Sequence, residues 1–443
     1  MKTIIWLFSA LFLLMPPGIV HAWSEDIFSH FGAYITVQEV YDNNIDLTAK
    51  NKKNDFITTI TPGIRFSTQP KSPTTSDFLQ NPTAKDRYGI DLDFNAGFNF
   101  YAKHHEDNYI SLNGLLNAWY AVTPRLNFRV KDYLIRSDEN REAEYSSTSI
   151  EGQYLPSRTA KREPYIRNVF EPSVQYEFGR ENVIALNYRN NVYEIQSRTS
   201  EDSMENFINP KITYWFDPRN GVSLEYGFTL GNFQRSPDFV GHMATGRYTY
   251  RFNQRTSMFG EYTQLWRNFD NPGTDYAVYR PSIGIEHALS PTLSVRVQGG
   301  YYWQKPEKGS TLDSPFYDIL VTQQAKKIKY TLSLQGGYTE DFFTSDNRGF
   351  TQYHRALGRI TYELLQKMNV GLFGSYEWIK YPGSEIDGKK EKDQIWAIGA
   401  NVSYELFRWL ALSMEVSHRE NHSNIDAADY SEYRALLKAT ARY

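Results

Sequence analysis

The sequence predicts an all-β protein, a transmembrane antiparallel outer-membrane β-barrel of about 18 to 20 strands. After its first two dozen residues, the 443-residue chain has no apolar run long enough to form a membrane helix. Its segments of roughly 10 to 16 residues alternate between apolar and polar side chains. The turns between these segments are alternately short and long. A closed barrel is the other structure that lipid permits, because all its backbone polar groups are paired within the protein.

The first 22 residues have the order of a secretory signal peptide. Lys2 precedes an apolar segment from Ile4 to Met15, and a Pro-Pro-Gly break separates that segment from the small residue Ala22. The apolar segment is well short of the ~20 residues that a spanning helix needs, which disfavours the alternative of an uncleaved membrane anchor. We therefore predict a signal peptide at 1–22 and a barrel at 23–443.

The composition agrees with a barrel and argues against nucleic-acid binding. The formal net charge is −3 and the pI is near 6.3, so the chain lacks the basic field that nucleic acid attracts. Aromatic residues make up 16% of the chain, as expected for a barrel with aromatic girdles at both membrane interfaces. Charged residues make up 22%, which a membrane barrel tolerates because one face of each strand meets water.

The last segment, 430–443, shows the alternation clearly. A strand places alternate residues on opposite faces. One predicted face is apolar with an aromatic residue at each end: Tyr443, Ala441, Ala439, Leu437, Ala435 and Tyr433. The other face is mainly polar: Arg442, Thr440, Lys438, Leu436, Arg434 and Glu432. Segments 88–100 and 292–304 alternate in the same way, so the first face is predicted to meet lipid and the second a wet lumen.

The turns fall into two classes that alternate along the last three quarters of the chain. Short turns are predicted at 122–125, 179–182, 217–221, 253–256, 289–292, 324–327, 364–368 and 406–409. Longer, more polar loops are predicted at 137–160, 197–204, 235–239, 270–275, 304–314, 343–348, 381–392 and 421–429. Outer-membrane barrels have short periplasmic turns and long outer loops, so the C-terminus is predicted to lie on the periplasmic side.

One segment breaks this rule. Residues 68–86 are rich in Pro, Ser and Thr and fall on the side where turns are short. They form either a tolerated insertion, which is the favoured alternative, or a periplasmic flap that can cover the pore. The long outer loop at 137–160 is a second candidate for a gate.

Charged residues are predicted to point into the lumen, because Arg or Lys on the lipid face would cost about 2 to 4 kcal/mol near the midplane. The predicted pore-lining cations are Arg125, Arg129, Lys131, Arg167, Arg189, Arg247, Arg251, Arg280, Arg296, Arg355, Arg359, Arg434, Lys438 and Arg442. Acidic residues, among them Asp93, Glu171 and Glu225, are predicted to join them. Two interpretations remain open: an ion-paired network that stiffens the wall, and an arginine surplus that attracts anions such as acidic sugars.

No motif predicts a catalytic, cofactor or metal site. His418 and His422 stand four residues apart, but the pattern there is a strand that runs into a loop, so we predict surface loop histidines rather than metal ligands. Ser111 and His242 are residue types that rim enzymes use, but nothing in their surroundings singles them out. We predict that the protein is not an enzyme and needs no cofactor.

Several stretches resemble the putative beta-barrel porin 2 family, which occurs with exopolysaccharide operons of Gram-negative bacteria. The stretch HFGAYITVQEVYDNNIDLTAKNKKNDFITTITPGIRFST is similar to the opening of that family, with its EVYDNNI element and a later TPG. YISLNGLLNAWYAVTPRLNFRVKDYLIRSDE and EPSVQYEFGRENVIALNYRNNVYEI are similar to its later hairpins. The resemblance spans about Phe31 to Tyr443. It implies an outer-membrane barrel linked to polysaccharide output and supplies no catalytic or ligand residues.

These observations predict a channel in the outer membrane of a Gram-negative bacterium. It would export an exopolysaccharide, an anionic one if the arginine surplus holds. The expected partners are outer-membrane lipid and lipopolysaccharide, the polysaccharide, and the barrel assembly machinery, which reads a terminal aromatic such as Tyr443. No nucleic acid is expected. The alternatives are a general diffusion porin, a structural or adhesive barrel with a plugged lumen, and lastly catalysis at the rim.

Overall fold

The alternating segments form twenty β-strands. The structure, a computed structural model, describes residues 30–68, 87–139, 162–197, 200–344, 347–386 and 388–443. The signal peptide predicted at 1–22, residues 69–86 of the predicted flap and residues 140–160 of the predicted outer loop lie outside the described residues.

The strands follow one another at regular intervals along the chain. They are β1 Phe31–Asp42, β2 Asp55–Ser67, β3 Tyr88–Tyr101, β4 Tyr109–Thr123, β5 Leu126–Ser137, β6 Tyr165–Phe178, β7 Asn182–Ile195, β8 Ser203–Trp215, β9 Asn220–Phe233 and β10 Phe239–Asn253. They continue as β11 Thr256–Phe269, β12 Tyr276–Ser290, β13 Leu293–Pro306, β14 Leu312–Gln324, β15 Ile328–Asp341, β16 Gly349–Leu365, β17 Met368–Ile386, β18 Lys389–Phe407, β19 Leu410–Ser423 and β20 Tyr430–Arg442. The predicted range of about 18 to 20 strands is therefore confirmed at its upper end.

In the residues that the structure describes, two short 3-10 helices, His105–Asp107 and Asp426–Ala428, lie in loops between strands. Within the described part of the chain, none of the helices has the length and apolar character that crossing a membrane requires.

Each strand pairs antiparallel with the next along the chain, and the last strand pairs with the first. The closing pair runs from Tyr34 opposite Arg442 to Asp42 opposite Arg434. Closure leaves no unpaired sheet edge to meet lipid, which is the condition that a spanning sheet must satisfy. The predicted fold class is confirmed.

The two ends of the barrel differ as the turn pattern predicts. All eight predicted short turns join strands at one end, which we call the short-turn end, and the chain terminates there beside the start of β1. The other end, the long-loop end, carries the longer connections. One predicted outer loop was wrong: residues 381–392 mostly extend β17 and β18, which run to Ile386 and from Lys389. A charged, polar sequence looks like a loop, although a hairpin beyond the membrane tolerates the same residues.

The buried hydrophobic residues cluster inside the long-loop end of the barrel. One cluster is aromatic and lies on β10 to β16, and smaller ones lie on β5 to β7, on β1 to β3 and on β17 to β18. Elsewhere, exposed aliphatic and aromatic side chains form a band on the outward face, as in a barrel that is solvated by lipid rather than by a protein core.

Candidate functional site in the lumen

The interior face of the barrel is identified by contacts between side chains on strands that are not adjacent. On β1, Ile35 and Val37 are each 45% exposed and alternate with less exposed residues. The neighbouring Tyr34 instead donates its hydroxyl to Asp93 on β3, with 2.7 Å between the oxygens. Side chains two strands apart converge in this way on the concave face of a closed sheet. The face that carries Tyr34 therefore lines the lumen, and the strand register extends this assignment around the barrel.

Most of the predicted pore-lining cations lie on this interior face. They are Arg129, Lys131, Arg167, Arg189, Arg247, Arg251, Arg280, Arg296, Arg355, Arg359, Arg434, Lys438 and Arg442. Arg125 is the exception and a correction. It lies exposed in the turn between β4 and β5, outside both strands, because the alternation of faces ends where the strand ends.

The interior face of β5 to β8, which we call the basic wall, carries more cations than acids. Its described strand residues include five cations and three acids, a net charge of +2: Arg129, Lys131, Arg167, Arg189 and Lys211 against Glu171, Glu177 and Glu205. Interior strands in a water-filled barrel have only partly screened fields, so this wall is a region of positive potential.

Side chains of the basic wall are held in place by neighbours. Arg189 makes a bidentate pair with Glu205, with N–O distances of 3.0 and 2.7 Å. The Nε atom of Arg129 donates to Asn117 at 2.9 Å, and Nε of Arg167 donates to Asn191 at 3.1 Å. The guanidinium group is a planar fork of donors whose geometry suits carboxylates and phosphates.

A recess of about 330 Å³ opens in the basic wall. Its lining includes Arg129, Lys131, Glu171, Asn187, Arg189 and Phe207. The Arg189 guanidinium lies 5.0 Å from the centre of the Phe207 ring, so an aromatic face and two kinds of cation share one small volume. Pockets of this composition bind ligands through a few placed polar groups and an apolar surface.

In the sector from β10 to β17, four of the predicted arginines are paired with acids on adjacent strands. Glu261 accepts from Arg247 at 2.8 Å and from Arg280 at 3.4 Å. Arg296 pairs with Asp318 at 2.6 Å. Arg355 pairs with Glu377, with 3.1 Å from its Nε. In this sector the interpretation of an ion-paired network that stiffens the wall describes the geometry.

The remaining predicted cations are dispersed around the barrel. Arg251 pairs with Glu181 at 2.6 Å near the short-turn end, and Arg434 lies 3.8 Å from Asp42 beside the closing strand pair. Arg359 is exposed to the lumen, with its guanidinium 5.9 Å from the centre of the Phe373 ring. Lys438 is half-buried and stands opposite Gln38 and Ser413. None of these positions adds to the basic wall.

The hairpin of β15 and β16 departs from the wall, which the sequence did not reveal. Pairing of β14 with β15 ends at Tyr317 and Gly336, and pairing of β16 with β17 ends at Gln352 and Lys380. β15 and β16 nevertheless stay paired with each other up to Asp341 opposite Gly349. Residues 337–344 and 347–351, which we call the tilted hairpin, are thus freed from both neighbours.

The tilted hairpin packs aromatic side chains against distant strands. Tyr338 lies 5.0 Å from Tyr302 on β13, measured between ring centres, and Phe350 lies 5.9 Å from Tyr276 on β12. Phe342 in the connecting loop lies 5.1 Å from Phe239 on β10. Because β10 is five strands away from β15 around the barrel, the hairpin must lean over the lumen to make this contact.

Polar contacts fix the tilted hairpin at its far side. Glu340 pairs with Arg267 on β11, with 2.5 Å between Oε2 and Nη2. The side-chain amide of Asn347 donates to Glu201, which precedes β8, at 2.6 Å, and to Ser236, which precedes β10, at 3.1 Å. The hairpin therefore extends from β15 and β16 to the loops beside the basic wall, and it covers part of the long-loop mouth.

Glu201 is the centre of this last contact. Its carboxylate accepts from the Ser236 hydroxyl and from the backbone amides of Arg235 and Ser236, each amide at 2.8 Å. Burial by itself would raise the pKa of the Glu201 carboxyl, but the hydrogen bonds from Ser236, Asn347 and Arg235 outweigh it and hold the pKa below its usual value. The ionised form is therefore the one that holds the hairpin.

The residues considered for catalysis or metal binding do not converge. Ser111 is buried on the interior face, whereas His242 lies on the outward face and contacts the hydroxyl of Tyr226. His418 and His422 belong to β19 rather than to a loop, which corrects that prediction, and both lie near Glu420. Among the side chains that the structure describes, no group of three or more is arranged to hold a metal ion.

Two signals in the sequence mark the tilted hairpin once its position is known. Gly336 and Gly337 stand together where β15 leaves β14, and a Cβ on Gly336 would lie 2.2 Å from the Tyr317 ring. Phe342 and Phe343 stand together in a segment that was predicted to be a polar loop. Adjacent phenylalanines in an outer loop indicate that the loop packs against an apolar part of the protein.

The family predicted from the sequence is confirmed over the C-terminal part of the chain. Residues 234–443 match the sequence model of the family described as putative beta-barrel porin 2. This match covers β10 to β20. Among curated proteins, none matches the sequence significantly.

Solved outer-membrane barrels are similar in architecture and distant in sequence. A mutant ferric enterobactin receptor, PfeA, of Pseudomonas aeruginosa in complex with enterobactin has a TM-score of 0.51 at 9% identity, over 94% of this chain and 81% of that chain. The outer membrane protein OpdK of the same organism has a TM-score of 0.44 at 10% identity, over 94% and 99%. OprD, also from P. aeruginosa, has a TM-score of 0.42 at 9% identity, over 94% and 95%. At such identities the likeness to the receptor shows the barrel fold alone. The closed barrel and the family match together support a porin-like channel of the Gram-negative outer membrane.

Proposed function

We propose that this barrel exports an anionic polysaccharide across the outer membrane. The observation that carries the proposal is the basic wall on β5 to β8, where the lumen has a surplus of cations and a recess. A polymer of acidic sugars passing along the lumen would replace its counter-ions with Arg and Lys side chains, as polyanions do on cationic surfaces. The function is transport, with no bond made or broken.

The groups in the recess suit an acidic sugar. The guanidinium of Arg129 and the ammonium of Lys131 are donors for a sugar carboxylate or phosphate. The amide of Asn187 supplies a donor and an acceptor for hydroxyl groups, and the Phe207 ring supplies an apolar face. Because Glu171 also lines the recess, the site would hold an anion only weakly. A conduit needs this weakness, since binding that is too tight at one position stops passage.

The tilted hairpin favours a second candidate, a structural barrel whose lumen is closed. Its contacts with Phe239, Arg267 and Glu201 hold it across part of the mouth. If the hairpin never opens, the barrel passes nothing and its role is adhesive or structural. A general diffusion porin is the remaining alternative, and it would pass small solutes irrespective of their charge.

The test is single-channel current of the refolded full-length protein in planar bilayers, with an acidic or a neutral polysaccharide of matched length added. We expect stepwise block by the acidic polymer. In the variant Arg129→Gln/Lys131→Gln, the same block should need about tenfold more polymer, because about 1.4 kcal/mol of attraction is lost. The matched control is Arg125→Gln/Arg180→Gln, which removes two charges from turns outside the lumen and should leave the block unchanged.

Other outcomes of the single-channel experiment would favour the alternative functions or exclude the basic wall. Equal, unblocked passage in the presence of both polymers would make the protein a general diffusion porin. Absence of current from barrels with heat-modifiable gel mobility would make it a closed structural barrel. If the acidic polymer blocks Arg129→Gln/Lys131→Gln as strongly as the unmodified protein, the basic wall does not bind the polymer.

A further inference from the structure

Two lysines face each other on the outward surface at the long-loop end. Lys380 on β17 stands directly opposite Lys392 on β18. Both share a face with lipid-band residues, Lys380 with Leu372 at 57% exposure and Lys392 with Ile398 at 59% exposure. Directly opposed like charges destabilise a strand pair unless an anion lies between them. The register therefore creates a position for an anion outside the barrel.

The protein itself offers little to fill this position. The residues that flank Lys392 in sequence, Glu391 and Asp393, are buried on the interior face. On the outward side, the register places the uncharged Gln394 next below Lys392. Gln352, opposite Lys380, donates its amide inward to the hydroxyl of the buried Tyr302 at 2.8 Å. Among the described side chains of these strands, no carboxylate lies on the outward face beside the lysines.

Aromatic residues locate the lysine pair relative to the membrane. Trp378 precedes Lys380 by two residues on the same face, and the Lys380 ammonium lies 4.5 Å from the centre of its ring. Trp378 stacks on His354, with 5.2 Å between ring centres. Trp396 on β18 continues the band through its contact with His418. Bands of Trp, Tyr and His on the outward face of a barrel mark the boundary between the apolar core and the headgroups.

The lysines thus lie at headgroup level. They are one pleat, about 7 Å of strand, beyond the aromatic band towards the long-loop end. Long loops face outward in bacterial barrels, so this level belongs to the outer leaflet. The anions at that depth in an outer leaflet are the phosphates of its lipid headgroups, and ammonium groups bind phosphate oxygens through charge-assisted hydrogen bonds.

We propose that Lys380 and Lys392 form a binding site for a phosphate of an outer-leaflet glycolipid headgroup. The two ammonium groups hold the phosphate between them, and the band formed by Trp378, His354 and Trp396 contacts the sugar and the start of the acyl chains. The site lies on the outward surface and is independent of what passes through the lumen.

The experiment uses native mass spectrometry of the full-length barrel in detergent, titrated with a phosphorylated, acylated glucosamine disaccharide. The variant Lys380→Gln/Lys392→Gln should bind it about 30-fold more weakly, since each lysine near such a surface contributes about 1 kcal/mol and 1.4 kcal/mol is tenfold. The matched control, Lys326→Gln/Lys327→Gln, removes two exposed lysines at the short-turn end and should bind like the unmodified chain.

Two further probes separate the sources of phosphate. The dephosphorylated glycolipid should bind the unmodified barrel as weakly as the phosphorylated one binds Lys380→Gln/Lys392→Gln. Inorganic phosphate, at the same concentration, should not compete. The proposal is overturned if the two lysine variants bind alike, if removal of the lipid phosphate changes nothing, or if inorganic phosphate displaces the lipid. Heat-modifiable gel mobility confirms that each variant is folded.

Discussion

The basic wall and the tilted hairpin occupy different sectors of the same lumen and differ in what holds them. The basic wall keeps the regular register of β5 to β8, and side chains of neighbouring strands such as Asn117 and Glu205 hold its cations. The tilted hairpin has left the register and is held by an aromatic cluster and by buried polar contacts. Charge on a regular wall can set which solute enters, whereas a packed element decides whether anything enters.

Because the basic wall and the tilted hairpin are held differently, substitutions in the two regions should have different effects. Changes in the tilted hairpin should alter its local stability and the open fraction of the channel. Changes in the basic wall should alter ion preference and leave stability nearly constant. Four variants test this separation, and they follow in order of decreasing effect on stability.

The largest effect is expected from Phe239→Ala. Phe239 is 3% exposed and contacts Phe342 and Phe343, so its loss leaves a cavity under the hairpin. We expect the hairpin to lose about 3 to 5 kcal/mol of local stability, as buried Phe to Ala changes do. Amide hydrogen exchange over 338–350 measures the change. The control is Phe98→Ala, at 37% exposure on the outward face, which should leave that exchange unaltered.

Arg267→Gln should have the next largest effect. Arg267 and Glu340 have side chains only 9% and 15% exposed, so removing one partner leaves a carboxylate without its counter-charge. We expect a loss of about 3 kcal/mol, towards the lower end for a broken buried pair. The double variant Arg267→Gln/Glu340→Gln should recover most of the loss. If single and double variants are equally destabilised in hydrogen exchange, the pair does not hold the hairpin.

The Glu201 contact should respond to pH. Because its folded pKa lies below the unfolded value of 4.5, its contribution is complete above 4.5 and is lost as pH falls through the lower folded pKa. Glu201→Gln at neutral pH should imitate that loss and cost about 1 to 2 kcal/mol, the worth of hydrogen bonds to a charged group. The rate of limited proteolysis at the hairpin tip, measured from pH 7 to pH 3, reports the loss of this contribution. A pH response that persists unchanged in Glu201→Gln would assign it to another group.

The smallest stability effect is expected from Arg129→Gln/Lys131→Gln. Loss of the hydrogen bond from Arg129 to Asn117 should cost about 1 kcal/mol, so thermal unfolding and hairpin exchange should stay within that range of the unmodified protein. Anion preference, from the reversal potential in a salt gradient, should nevertheless fall. A large change in hairpin exchange would mean that wall and hairpin are coupled, and the comparison between them would fail.

Sequence alone predicted much of this architecture because strand alternation and turn chemistry are local. The register of residues 430–443 could be predicted residue by residue, since a period of two depends only on neighbours in the chain. Arg125 was misplaced because the same rule was carried past the end of a strand. Residues 381–392 were predicted as a loop because polarity was weighed above pairing, and pairing is not a local property.

For the candidate site too, local features could be predicted from the sequence and contacts between strands could not. Alternation placed Arg129, Lys131, Arg167 and Arg189 on the interior face, but only the strand register shows that they are neighbours. Alternation likewise could not show that Arg247 and Arg280 share Glu261, because the three residues lie on three different strands. Strand pairing therefore decided which of these cations line one recess and which are paired with acids.

Alternation and turn order in the sequence are sufficient to predict a closed barrel with a polar lumen, because unpaired backbone groups have no partner in lipid and charge on an outward face is costly there. That one hairpin leaves the wall and crosses the mouth follows from the tertiary structure alone. That choice depends on Asn347 meeting Glu201, 146 residues away, and on Phe342 meeting Phe239. Contacts between such distant residues exist only once the barrel has closed, and no periodicity in the chain encodes them.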